Sequence, residues 1–126
     1  MKLVKKRVPI YRNWMWVCWL EDGDTLDAVN VQLRRRVNVE LPLKADDEIF
    51  GGDVNSAGGV LMSYGDIFLL VVRVGCKTGV LAHECFHLVC GVMRNCGVVY
   101  SKESEEAYAY LLTWVVDEVE GCRPNR

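Results

Sequence analysis

The only two histidines of the 126-residue chain, His83 and His87, stand four residues apart with Glu84 between them, in the order His83-Glu84-Cys85-Phe86-His87. No other feature constrains the local fold as tightly. On an α-helix two residues at that spacing lie about 40° apart on one face, and Glu84 is turned about 100° from His83 toward one side. The flanks read as helix from about Thr78 to Asn95, with Thr78 as cap, Gly97 as stop, and an apolar body of Val80, Leu81, Phe86, Leu88 and Val89. Two imidazoles and a carboxylate would be costly to bury on such a helix without a metal or polar partners. An HExxH pattern arises by chance in a chain this long with a frequency of order one in a few hundred.

Two ring nitrogens and a carboxylate suit zinc, which keeps a further position open for water. Zinc lowers the pKa of that water toward neutrality, and Glu84 is placed to take its proton as it attacks a carbonyl. With no third histidine, the site must be completed by a carboxylate; the extended form HExxHxxGxxH is excluded because its last position is Met93. Glu106, nineteen residues after His87, lies on a last helix read from Ser101 to near Gly121, behind a connection (Asn95 to Tyr100) short enough for antiparallel packing. Glu106 shares a face with Ala109, Tyr110 and Thr113, whereas its rival Glu105 points toward Lys102. Cys85 and Phe86 read as core, and Cys90 as a small packing residue rather than a thiolate ligand.

The rest of the chain reads as one domain over residues 1–126, since chains divide into separate cores only at about twice this length. A strand spans Ile10 to Leu20, with Trp14 and Trp16 on one face and Trp19 on the other. A helix capped by Asp24 or Thr25 carries Leu26, Val29, Leu33 and Val37 and ends in Arg34-Arg35-Arg36, a solvated cationic end. Asp46-Asp47-Glu48 reads as a solvated acidic loop, and Val60–Tyr64 and Ile67–Val74 as a hairpin turned at Gly65-Asp66. The fold class expected is α+β: a small, mostly antiparallel sheet of about three strands against the HExxH helix and a second, ligand-bearing helix.

Fifteen basic against 17 acidic residues give a net charge of −2, which argues against nucleic acid as partner. Arg73 and Lys77 interrupt the longest apolar run, Ile67 to Val80, so no membrane span is expected. Met1 to Arg7 has the positive start of a secretory signal, but Pro9, Arg12 and Asn13 break the apolar run that should follow. Six cysteines without a CxxC pair then read as reduced thiols in a cytoplasm.

The residues resemble those of the gluzincins, zinc metallopeptidases typified by thermolysin. Val80-Leu81-Ala82-His83-Glu84 is similar to the approach to their active-site helix, and Glu105-Glu106-Ala107 to the Asn-Glu-Ala that carries their third ligand. Asn55-Ser56-Ala57 through Tyr64-Gly65-Asp66 faintly resembles their edge strand, on which a substrate lies extended. His83 to Leu112 also resembles small metallopeptidases encoded by bacteriophages, which would place the chain in a host cytoplasm. The resemblance implies a minimal zincin-like core with one zinc ion on His83, His87 and Glu106, Glu84 as general base, and a peptide or protein substrate. Two departures stand out. Tyr110 replaces the aspartate that orients a histidine in that family, and no histidine follows His87 to steady the oxyanion, leaving Tyr64, Tyr100, Tyr108 or Arg94 for that task. A non-catalytic zinc-binding interaction module and a hydrolase of other amides are the rival readings.

Overall fold

The computed structural model describes residues 1–44, 48–51 and 58–124; Asp46, Asp47 and Asn55-Ser56-Ala57 lie outside them. In chain order the elements are β1 (Lys2–Arg7), β2 (Trp14–Leu20), α1 (Leu26–Arg36), a single helical turn α2 (Glu48–Gly51), β3 (Gly59–Tyr64), β4 (Ile67–Arg73), α3 (Thr78–Asn95) and α4 (Glu105–Gly121). The strands form one four-stranded sheet in the order β1-β2-β4-β3. β1 with β2 and β3 with β4 pair antiparallel, whereas β2 and β4 pair parallel. The fold is therefore α+β with a mixed sheet, one strand larger than the sequence implies.

The central strands explain the layering. Met15 to Leu20 and Phe68 to Val72 are buried without a break, as strands covered on both faces must be. Alternate residues serve two cores. Met15, Val17 and Trp19 join Phe68, Leu70 and Val72 on the face that receives α3 and α4. Trp16, Cys18 and Leu20 join Leu69 and Val71 on the face that receives α1 through Leu26, Val29 and Leu33. A parallel β2/β4 pair needs a long crossover, and the chain from α1 to β3 supplies it.

β1 escapes a sequence reading because it is an edge strand. Lys2, Lys5 and Arg7 are exposed along it, the kind of charge that keeps a free sheet edge from pairing with other chains. β2 begins at Trp14 rather than Ile10 because Ile10 (φ 73°) and Arg12 (φ 59°) take left-handed backbone, closing a turn in which the Val8 N–H donates to the Asn13 carbonyl at 2.9 Å. A β-branched residue is poorly suited to that region, so propensity alone misreads the segment as strand. α1 follows the expectation closely: the Thr25 hydroxyl accepts from the Ala28 N–H at 3.2 Å and caps it. α3 spans the expected residues, but its cap position is Lys77, with no side-chain bond to the helix.

α3 crosses β4 with no room to spare. A Cβ added at Gly91 would lie 2.5 Å from Cε1 of Phe68, itself buried in the sheet. Gly91→Ala is expected to destabilise the fold by about 1–3 kcal/mol, as overpacking a rigid aromatic contact does, read as a lower midpoint in urea at unchanged slope.

Of the six cysteines, Cys18, Cys76, Cys85 and Cys122 are buried, Cys90 is half-buried and Cys96 is exposed. Burial pushes the thiols of Cys18 and Cys85 up to about 12, so both stay protonated at neutral pH. A thiol reagent at pH 7.5 is expected to label Cys96 readily and to spare Cys18 and Cys85 until the chain unfolds. The sign at high pH follows from the same shift. Between the unfolded thiol value of 9.0 and about 12 the unfolded chain has released protons that the folded one still holds, so stability falls as pH rises through that window.

Candidate active site

The burial of α3 sets out the site. Its buried stripe (Leu81, Cys85, Leu88, Val89, Val92 and Met93) packs on the sheet and α4, which turns His83 and His87 to the outer face, both exposed. The cost of burying imidazoles therefore does not arise. The two rings meet edge to face with centroids 4.7 Å apart, and their Nε2 atoms approach to 3.1 Å. That distance is close to the roughly 3.3 Å that separates two nitrogens held about 2.0–2.1 Å from a tetrahedral zinc. Phe86, expected in the core, lies between them on the exposed side with 44% of its surface accessible. The reason is angular: position 86 falls about 100° from the centre of the buried stripe.

Glu84 faces another neighbour. It is half-buried against the outer edge of β3, and the Leu61 N–H donates to its carboxylate. Burial pushes its pKa above the ordinary carboxylate value, while His83, His87 and the Leu61 bond pull the other way. The carboxyl reaches this position because position 59 is glycine: a Cβ there would lie 3.0 Å from Cγ of Glu84 and 2.8 Å from Cγ1 of Val72. Sequence reasoning did not find Gly59 or Leu61. The available signal was a glycine at the first position of a strand, where a close approach by another element is a standing reason for it.

β3 is an edge strand with main-chain groups to spare. Gly58 accepts from the Arg73 N–H at 2.8 Å, and with the antiparallel register this makes positions 58, 60, 62 and 64 the ones that bond to β4. Gly59, Leu61 and Ser63 thus turn their N–H and C=O groups outward, over α3. α3 runs in the same sense as β3, since Glu84 meets Leu61 near one end and the Asn95 side chain donates to the Gly65 carbonyl at 3.0 Å at the other. Between them lies a groove of about 410 Å³ lined by Leu61, Ser63, Glu84, His87, Gly91 and Arg94. A second hollow, of about 330 Å³, continues past Gly59, Val80 and His83. Glu84 lines both.

The carboxylates of α4 are placed differently. That helix begins at Glu105, four residues later than the sequence suggests, because Ser101 to Ser104 form a turn in which the Ser101 N–H donates to the Ser104 hydroxyl at 2.8 Å and that hydroxyl donates to the Val99 carbonyl at 2.7 Å. Glu106 does share its face with Ala109, Tyr110 and Thr113, and that face is the exposed one, opposite the buried Tyr108, Leu111, Val115 and Val119. Glu105 is exposed as well, but lies one turn before Tyr108, which shares a hollow with Phe86 and Cys90 of α3. Among the described residues the structure gathers no group of three His, Cys, Asp or Glu side chains able to hold a metal, so it joins His83 and His87 without bringing Glu106 or Glu105 to them. Tyr110, 73% exposed, points away from the histidines' helix with that same outer face. Of the residues considered for the oxyanion, Tyr64 and Tyr108 commit their hydroxyls to the Glu40 and Val98 carbonyls, Tyr100 packs edge to face on Tyr108, and Arg94 lies at the far end of the groove, its backbone about 10 Å beyond His87.

Compared with protein-family models, curated proteins and solved structures, the chain finds no match. Among the described residues no helix is long and apolar enough to cross a membrane.

Proposed function

We propose that the chain is a zinc-dependent peptidase with a minimal zincin-like core, acting on an extended peptide laid along β3. The observation that carries this reading is the juxtaposition of three features at one place: paired Nε2 atoms 3.1 Å apart, the Glu84 carboxylate beside them, and a sheet edge open at the Leu61 carbonyl and Ser63. Each alone is common, whereas metal-assisted hydrolysis of an extended amide needs all of them together. His83 and His87 would hold zinc, which when bound polarises the scissile carbonyl and activates water.

The chain's own groups supply the rest. With the Leu61 N–H held by Glu84, the Leu61 C=O and the Ser63 N–H and C=O can pair with substrate main chain, which would fix the peptide's height above the histidines. Glu84 would accept the proton of the attacking water and return it to the leaving amine from the groove wall, where it is half-buried and burial raises its pKa above the ordinary carboxylate value. Zinc on two histidines also needs a third protein ligand; the spacing after His87 favours Glu106, although the structure sets Glu106 on the outer face of α4. Glu105 is the second candidate, favoured by its place one turn before Tyr108 on the flank that turns toward α3.

Zinc titration of single variants distinguishes the two. Alanine at the true ligand is expected to weaken zinc binding by at least about a hundredfold, and alanine at the other position to change it less than about threefold. Zinc-loaded protein should cleave members of a random peptide library, lose that activity to a chelator and regain it with added zinc. Undiminished cleavage in the chelator would overturn the peptidase assignment as stated.

A further inference from the structure

The groove continues past the reacting groups, and its far end is cationic. His83, His87 and Arg94 fall within about 40° of one another around α3, because seven residues are almost two whole turns. Arg94 is exposed, no ion pair among the described residues engages it, and it lines the groove together with Ser63 and Asn95. Glu84, at the other end, is the only acid among the residues lining that groove. Helical rise puts the Arg94 backbone about 10 Å beyond His87, and helical side chains lean back toward the N-terminus, so its guanidinium hangs over the turn of Cys90 and Gly91. That is two to three residues of extended chain away from the His83–His87 pair, at about 3.3 Å each.

We infer that Arg94 is a specificity residue, selecting peptides with an acidic side chain two to three residues to the N-terminal side of the cleaved bond. The side of the bond follows from the strand. Antiparallel pairing is the more stable way to extend β3, and it runs the substrate opposite to β3, so that the stretch beside Ser63 and Arg94 precedes the bond placed at Glu84. A C-terminal carboxylate would then lie at the other end, near Gly59 and Val80, leaving an aspartate or glutamate side chain as the anion for Arg94. Guanidinium and carboxylate match as a planar, doubly hydrogen-bonded pair, which an ammonium or an amide does not reproduce.

The inference rests on the peptidase reading, and the two fail in different ways. Binding is measured by fluorescence anisotropy on the zinc-loaded Glu84→Gln protein with two labelled, C-terminally amidated peptides, one β-prone and carrying glutamates, the other with glutamine in their place. The acidic peptide is expected to bind about fivefold more tightly; Arg94→Gln should erase that preference and Arg94→Lys keep part of it. In the native enzyme, Arg94→Gln should raise KM for acidic library members and leave kcat within about twofold. Equal binding of the two peptides, or a preference that appears only with a free C-terminal carboxylate, would overturn the inference while leaving the peptidase reading intact. A fall in kcat for acidic and neutral substrates alike would also overturn it, by assigning Arg94 to the reacting centre. Absence of any cleavage beside a clear Arg94-dependent preference would instead remove the peptidase reading.

Discussion

Glu84→Gln is expected to leave the protein folded and zinc-loaded while lowering kcat by at least about a hundredfold, the usual worth of a positioned general base. The substitution is nearly isosteric. Glutamine keeps the volume that fills the space above Gly59 and keeps an oxygen able to accept from the Leu61 N–H, so neither the β3 edge nor the histidine pair is disturbed. What it removes is the capacity to take up and return a proton. KM should change little, because the Leu61 carbonyl and the main-chain groups of Ser63 still face the substrate. Full activity in this variant, on any member of a peptide library that the native protein cleaves, would contradict the assigned role. Unchanged zinc content beside lost activity is what separates a base from a ligand.

Trp19→Ala is expected to have the largest effect on stability, about 3–5 kcal/mol. Trp19 is the largest of the fully buried side chains among the described residues. Its indole Nε1 donates to Sγ of Cys122 at 3.4 Å, and the Arg123 guanidinium lies 5.2 Å from its ring. Arg123 in turn donates to the Val74 and Cys76 carbonyls at 3.2 and 3.0 Å, so Trp19 supports the contact that ties the end of α4 to the end of β4. Removing the indole would empty a volume that rigid neighbours cannot fill and would leave Arg123 without its stacking partner. Trp19→Phe should recover more than half of the loss, because it restores most of the volume and not the Cys122 bond. The measurement is urea unfolding followed by far-ultraviolet circular dichroism. A loss below about 1 kcal/mol for Trp19→Ala would show that this junction is not the anchor described here.

What the sequence made legible follows from physics that acts locally. The extent of α1 is readable through its Thr25 cap and apolar periodicity, and that of α3 through periodicity and the Gly97 stop, because these act within a few residues. The hairpin of β3 and β4 is readable for the same reason, through Gly65-Asp66. The opposed faces of Trp16 and Trp19 follow from strand alternation and hold in the structure, where each ring lies in a different core. The misreadings have non-local causes. β1 is a strand only because the edge of β2 is there to pair with it, and the parallel β2/β4 pairing depends on where the crossover carries the chain. The start of α4 slipped because the Ser101–Ser104 hydroxyl exchange makes a turn that side-chain patterning resembles a helix start.

For the candidate site, the motif spacing identified His83, Glu84 and His87, since a single helical turn fixes their relations. Which neighbour each faces was not legible. That Glu84 leans on Leu61 beneath an absent Cβ at Gly59 depends on how α3 is seated against β3, and that seating is set by Phe68 under Gly91. The carboxylate of α4 is a still longer-range matter, because its direction is decided by the packing of Tyr108, Leu111 and Val115 rather than by the count of residues after His87.

The most direct test is elemental analysis of the native chain and of His83→Ala, each purified without chelator and then equilibrated with zinc. Close to one zinc per native chain is expected, and almost none in the variant, with circular dichroism showing both folded. A native chain that remains metal-free after equilibration with zinc would contradict the zinc site, and would reduce the His83–His87 pair to an exposed hydrogen bond between two imidazoles.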